Sequence, residues 1–254
     1  MIKNKNLAIQ LFKRSLPELV SDACQLEGIN FTVPDVQTLL GGMAVGNKEL
    51  HEQEIALNQI KAWKTILEDV VNDKVEITQK YSNKIHNIAA KEDAMEWGRF
   101  RSGNVLISGT DYLPPKAENL EEHYNQMLDD FSSVDNDYMK AVFLFLQYSK
   151  NQFYYDNNKR QGRFMMNAYL LSQGLPTINV PKKREHDFNN GMLRYYNSIN
   201  NNASEMYTFL MSCIHPTIAE QFDIPIVDFQ KYKEKQGLTP DKQSLTSSTS
   251  TLKI

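Results

Sequence analysis

Cysteine is nearly absent from this 254-residue chain. Its two cysteines, Cys24 and Cys213, lie far apart, which excludes a disulfide framework and fits a reducing compartment. Charge of one sign is lacking as well. The net value of −3 excludes a molecule that grips nucleic acid through its overall field. Long apolar runs are missing. The longest covers residues 141–146, far short of the ~20 residues a membrane span needs. Residues 1–14 are interrupted throughout by charged and amide side chains, so they carry no signal-peptide core. No internal repeat stands out. A soluble cytoplasmic protein, with neither nucleic acid nor membrane as partner, is the expectation.

What is present is helical periodicity over a 41 % hydrophobic chain. Apolar residues recur near the helical spacing in 17–26, with Pro17 in a first turn and Gly28 as stop, and in 48–71. They recur more weakly in the polar stretch 77–94, and again in 119–131, 182–199 and 203–222. Two segments, 135–148 and 162–173, are apolar almost all round, which predicts a buried central helix pair. Residues 98–115 break the pattern. Val105 and Ile107 alternate between Ser-Gly and Gly-Asn clusters, and Pro114-Pro115 closes the run, so a small β-hairpin or extended flap is expected. The fold class is therefore all-α with one small β flap. Residues 1–234 read as one domain. From residue 235 the composition falls to Ser, Thr, Gln and Lys, which predicts a disordered Ser/Thr-rich tail over 235–254.

The chemistry-bearing stretch runs from Gln152 through Tyr154, Asp156, Asn157, Asn158, Lys159 and Arg160 to Arg163, in the polar gap between the two apolar helices. Free N–H groups and the positive end of the second helix face such a loop, which makes an anion site. Asn157 and Asn158 tolerate left-handed backbone. Arg160 and Arg163, three apart, can grip phosphate oxygens from one helix end. Asp156 beside them could hold Mg²⁺ bridging those phosphates. The same residues also read as an ordinary N-cap with two solvated arginines, and the local pattern does not decide between the two.

Aligned on the Asp, Asn and Arg, this stretch resembles the Fic family signature His-x-Phe-x-Asp/Glu-Gly/Ala-Asn-Gly/Lys-Arg-x-x-Arg. The triplet Asn158-Lys159-Arg160 is similar to the Doc branch, and Gly162-Arg163 to the adenylylating branch. Leu26-Glu27-Gly28 resembles the family's inhibitory helix, here about 15–28. Gly98-Arg99-Phe100-Arg101 with Val105, Ile107 and the two prolines resembles the flap that docks a target chain. Leu175-Pro176 with Val180-Pro181 resembles the exit from the motif helix.

The resemblance implies a Fic fold with the hairpin flap over the motif loop. It implies ATP and Mg²⁺ as cofactors, with Asp156 as metal ligand and Asn157, Asn158, Lys159, Arg160 and Arg163 as nucleotide ligands. It implies AMP transfer to a hydroxyl of a protein laid near Val105 and Ile107, an inhibitory Glu27 paired with Arg163, and pairing of two copies. The family's catalytic positions fall on Gln152, Asp156 and Asn158.

The departures matter. Gln152 stands where the family has its catalytic histidine, Tyr154 where it has phenylalanine, and Ala23 where Ser or Thr precedes the inhibitory Glu. Asn157 replaces a small residue and is expected to crowd the anion loop. Glutamine cannot accept the acceptor's proton, and general-base catalysis is worth ~10²–10⁴-fold. The five histidines, His51, His86, His123, His186 and His215, all lie outside the loop and read as surface or capping residues. The expectation is an impaired adenylyltransferase. The alternatives are a non-catalytic relative that binds a nucleotide or partner, and a Doc-like phosphotransferase suggested by Lys159.

Overall fold

A computed structural model of the chain describes residues 1–198 and 203–238. Of the tail expected over 235–254, residues 239–254 lie outside the described residues. Lys235 and Gln236 end a helix that starts where Asp228 caps the N–H of Lys231 and Phe229 buries against Phe209.

The apolar stripe Ala8, Phe12, Leu16, Leu19, Val20 and Ala23 buries as one face of α1 (Lys5–Leu26). The helix begins earlier than its sequence signal, on an Asn4 side chain that accepts the Leu7 N–H, and Pro17 sits inside it. A short helix not anticipated from periodicity follows, α2 (Val33–Leu40), started by a Thr32/Asp35 capping box with Pro34 in its first turn. Next come α3 (Leu50–Val71) and α4 (Gln79–Ala89), the latter capped by Thr78. After residues 98–115 the chain resumes in α5 (Leu120–Ser132), α6 (Asp137–Asn151) and α7 (Asn158–Ser172). The last four are α8 (Glu185–Asn197), α9 (Ser204–Met211), α10 (Pro216–Gln221) and α11 (Phe229–Gln236). The single helix expected over 203–222 is two, because Pro216 opens a new helix capped by His215.

Helices α6 and α7 form the buried centre. A Cβ at Gly162 would stand 2.9 Å from the Phe145 carbonyl, so only glycine lets the two backbones approach this closely. Trp63 of α3 wedges between Phe12 of α1 and Phe164 of α7, with ring centroids 5.5 and 4.6 Å away. These contacts fix α1 beside the start of α7.

The expected β-hairpin does not form. Among the described residues there is no strand. Residues 101–108 do alternate: Arg101, Gly103, Val105 and Ile107 are the more buried, while Ser102, Asn104, Leu106 and Ser108 are exposed. Alternation reports two faces, whereas a ladder also needs a paired neighbouring backbone, and beyond the Arg101 N–H to Phe153 carbonyl bond the segment makes no main-chain hydrogen bond to another backbone among the described residues.

Candidate active site

Two left-handed residues shape the loop between α6 and α7. Gln152 (φ 49°, ψ 57°) ends α6, and Asn157 (φ 62°, ψ 11°) precedes α7. Between them Asn158 acts as an internal brace. Its Oδ1 accepts the Tyr154 N–H at 2.9 Å, and its Nδ2 donates to the Tyr154 carbonyl at 2.7 Å and to Gln152 Oε1 at 2.9 Å. The other end of the Gln152 amide donates to the Ser149 carbonyl at 2.7 Å. Gln152 is thus held by hydrogen bonds at both amide atoms.

Helix α4 supplies the foundation. The Tyr154 ring stacks on His86 at 3.7 Å, and its hydroxyl meets Ser82 Oγ at 2.7 Å and Asn83 Oδ1 at 2.9 Å. The extra oxygen at the family's phenylalanine position is therefore satisfied from α4. His86, expected at the surface or as a cap, is fully buried. The Gly98 N–H donates to its Nδ1 at 3.1 Å, so Nε2 carries the proton and faces the Asp156 carbonyl at 3.3 Å. Burial pushes its pKa down to about 4, outweighing the hydrogen bond to Asp156, so the ring is a neutral prop.

Asp93, in the turn after α4, was not legible as a site residue. Its Oδ2 accepts from Asn157 Nδ2 at 2.9 Å and pairs with Arg160 Nη1 at 2.9 Å. Asn157 is 3 % exposed, its amide nitrogen held against Asp93. Arg160 is committed on one side to Asp93, with Asp156 Oδ1 3.7 Å from its Nη2. The Asp156 side chain is 59 % exposed. Its Oδ1 accepts the Asn157 N–H at 2.5 Å.

Glu27 arrives from α1. Gly28, at φ 82°, lets the chain turn in the left-handed region, and the Ile29 N–H returns to the Cys24 carbonyl. Asp22 and Gln25 are tied to Lys182, which holds the end of α1 against the chain after α7. Glu27 Oε1 then accepts from Arg163 Nη2 at 2.8 Å. Burial alone would raise the Glu27 carboxyl, but the charges of Arg163, Lys159 and Arg160 hold it below its ordinary value.

A cavity of about 550 Å³ opens over this loop. Its polar side carries Glu27, Gln152, Asp156, Asn157, Asn158, Lys159 and Arg160. Leu106 to Gly109 form a second side, and Asn189, Met192, Leu193 and Tyr196 of α8 a third. Arg163 does not line it but stands behind Glu27, 7 % exposed. The α8 residues escaped the sequence reading, whose only signal there was helical spacing. The arrangement offers polar and cationic groups at one end and an apolar wall with one amide at the other. Among the described residues no group of three or more His, Cys, Asp and Glu is placed to hold a metal. Asp156 stands as a single exposed carboxylate. No helix among them is long and apolar enough to cross a membrane.

This combination, a helical bundle whose central pair carries a polar loop faced by a glutamate from an earlier helix, defines a class. Residues 76–170 match the model of the Fic/DOC family. The chain is 28 % identical over 182 residues to the protein adenylyltransferase Fic of Nematostella vectensis, covering 69 % of this chain and 41 % of that protein. It is 26 % identical over 200 residues to the Aedes aegypti protein of the same name, covering 74 % and 38 %. The fold matches a Fic-domain-containing signaling protein of Bacteroides thetaiotaomicron with a TM-score of 0.69 at 16 % identity, over 85 % of this chain and 90 % of that one. It also matches Fic-1 of C. elegans at 0.67 and 15 % identity, over 90 % and 67 %. The match to the Fic/DOC family model lies over residues 76–170, the segment that carries the loop between α6 and α7, and the likeness to the solved structures is one of fold. The chain spans about two fifths of the length of the curated relatives it matches.

Proposed function

We propose that this chain is a nucleotide-dependent modifier of protein hydroxyls, an adenylyltransferase whose resting site is closed by Glu27 and whose chemistry is slowed by Gln152. The observation that carries this reading is the Glu27–Arg163 ion pair, 2.8 Å long, at the head of α7 beside the 550 Å³ cavity. A carboxylate there occupies the cation that a polyphosphate would seek. The names of the curated relatives support the same chemistry.

The reaction sets the demands. An acceptor hydroxyl oxygen attacks the α-phosphorus of ATP, the bond to the bridging oxygen breaks, and pyrophosphate leaves. The hydroxyl proton must go to a base. Lys159, Arg160 and Arg163 supply positive charge for the phosphates. Asp156 would hold one Mg²⁺, with phosphate and water completing its shell, because that ion commonly takes only one or two carboxylates from the protein. When bound, the ion would neutralise phosphate charge. An acceptor chain lies along Val105 and Ile107. Gln152, with no usable pKa, leaves the proton without a receiver.

A second reading, a nucleotide-binding relative without catalysis, draws on one observation. The Gln152 amide is satisfied internally by Ser149 and Asn158 and is not left free to orient an acceptor.

Calorimetric titration with ATP and Mg²⁺ tests the site. Glu27→Gly should bind about ten- to a hundredfold more tightly than wild type, the worth of one charge-assisted contact of ~1.5–3 kcal/mol, and Arg163→Ala should lose that gain. Equal affinity in all three proteins would remove the nucleotide site.

A further inference from the structure

Residues 106–109 face the cavity, and residues 102–109 make no main-chain hydrogen bond to any other backbone among the described residues. An extended segment so exposed has no intrinsic reason to hold one position. Ile107 and Tyr112 pack against the core, Tyr112 stacking on Tyr196 of α8, but one buried side chain ties both ends of the segment by hydrogen bonds. Arg101 is 3 % exposed, and its guanidinium donates only to main-chain carbonyls: Nε to Gln152 at 2.6 Å, Nη1 to Gly103 at 2.7 Å, and Nη2 to Pro115. Its own N–H donates to the Phe153 carbonyl at 3.0 Å. Arg101 therefore joins the two ends of the extended segment to each other and to the left-handed residue that stands at the base position. The planar five-donor fork is what allows three carbonyls to be met at once, and an ammonium cannot reproduce it. The side-chain hydrogen bonds that leave the segment elsewhere lie at exposed positions: Ser102 Oγ to the Tyr155 hydroxyl, Asn104 Oδ1 to the Ala117 N–H, and Thr110 Oγ1 to Asn197 Oδ1.

We propose that Arg101 is the positioning residue for the protein acceptor. It fixes the open edge at Val105 and Ile107 relative to residue 152, so that an acceptor chain laid on that edge brings its hydroxyl to the cavity mouth. This rests on the acceptor role proposed above for the segment, but the anchoring can be read without any turnover. Arg101 touches neither nucleotide nor acceptor; it acts through the backbone of both walls.

The test places a nitroxide at Leu106→Cys, a site 79 % exposed, in a Cys213→Ser background. In the otherwise native chain the label should give a restricted spectrum. Arg101→Gln and Arg101→Lys should each give a narrow, mobile component while far-UV circular dichroism stays native. Thr110→Val, which cuts the tie to α8, should leave the spectrum close to native. In a Gln152→His, Glu27→Gly background, with labelled ATP and dephosphorylated casein as acceptor, Arg101→Lys should raise KM for casein about tenfold. It should leave kcat within about threefold and ATP affinity within about twofold. An unchanged label spectrum in both Arg101 variants overturns the proposal. So does Thr110→Val freeing the label as much as they do, or a loss falling on kcat and ATP affinity instead of KM. A background inert towards casein contradicts the proposed transferase activity, while the spectra still decide the anchoring.

Discussion

Two walls of one cavity are built on opposite plans. The loop from Gln152 to Asn158 is over-determined: two left-handed residues, the Asn158 brace, the His86 prop and the Asp93 clamp each fix it from a different direction. The segment 102–115 makes no main-chain hydrogen bond to another backbone among the described residues, and one buried guanidinium ties its ends. In the nucleotide-binding role proposed for it, the loop must present its N–H groups and cations within a fraction of an ångström, so redundancy serves it. A surface that receives another chain through its backbone needs an open edge, and pairing that edge internally would close it.

The contrast can be broken by perturbing each wall. Asn158→Ala should have the largest effect, about 3–4 kcal/mol in urea unfolding, because the buried Tyr154 N–H and carbonyl both lose their partner. A cost below about 1 kcal/mol, no more than one ordinary hydrogen bond, would show that the loop is not braced from within.

His86 gives the next effect, through pH. Its pKa falls from an ordinary 6.5 to about 4 in the folded state, so folding favours the neutral ring. The unfolded chain binds more protons there between those values. The stability this contributes is complete above pH 6.5 and is lost as pH falls towards 4, on the order of 3 kcal/mol. Stability curves of wild type and His86→Gln should therefore converge on acidification through that window. Parallel curves would place the protonated ring comfortably in the fold.

The smallest effect belongs to the other wall. Leu106→Ser, 79 % exposed and without a ladder, should change stability by less than about 0.5 kcal/mol. A larger loss would mean that the segment packs as tightly as the loop.

The same contrast explains what was legible in the sequence. Buried helices with continuous apolar faces, α3, α6 and α7, are local patterns, and their spacing announces them. The meeting of Glu27 with Arg163 was accessible because both sit at recognisable motif positions. The start of α7 was placed too late, at Gly162, because the helical turn before it is polar. Asn158 is buried there against Gln152 and Tyr154 of the loop, Arg160 against Asp93 after α4, and Gln161 against Ser82 of α4. His86 and Asp93 were missed for a related reason. They come from a polar stretch whose periodicity is weak, and only tertiary contact gives them meaning. At Tyr154, where the family has phenylalanine, the sequence does not show that the hydroxyl has Ser82 and Asn83 waiting 72 and 71 residues earlier in the chain. The start of α2 is legible in local sequence, as a Thr32/Asp35 capping box with Pro34 between. The flap failed in the other direction: strand-like alternation was present, but pairing is a non-local property.

Transfer of labelled AMP is the most direct measurement of the central claim, that Glu27 closes the site and Gln152 withholds the base. Wild type, Gln152→His, Glu27→Gly and the double variant are incubated with labelled ATP, Mg²⁺ and cell lysate. Wild type should transfer slowly or not at all, each single change should give little, and the double change should exceed the sum of the two, approaching the ~10²–10⁴-fold worth of a general base. A double variant that binds ATP tightly yet remains as inert as wild type would contradict the account, and so would a wild type already fully active.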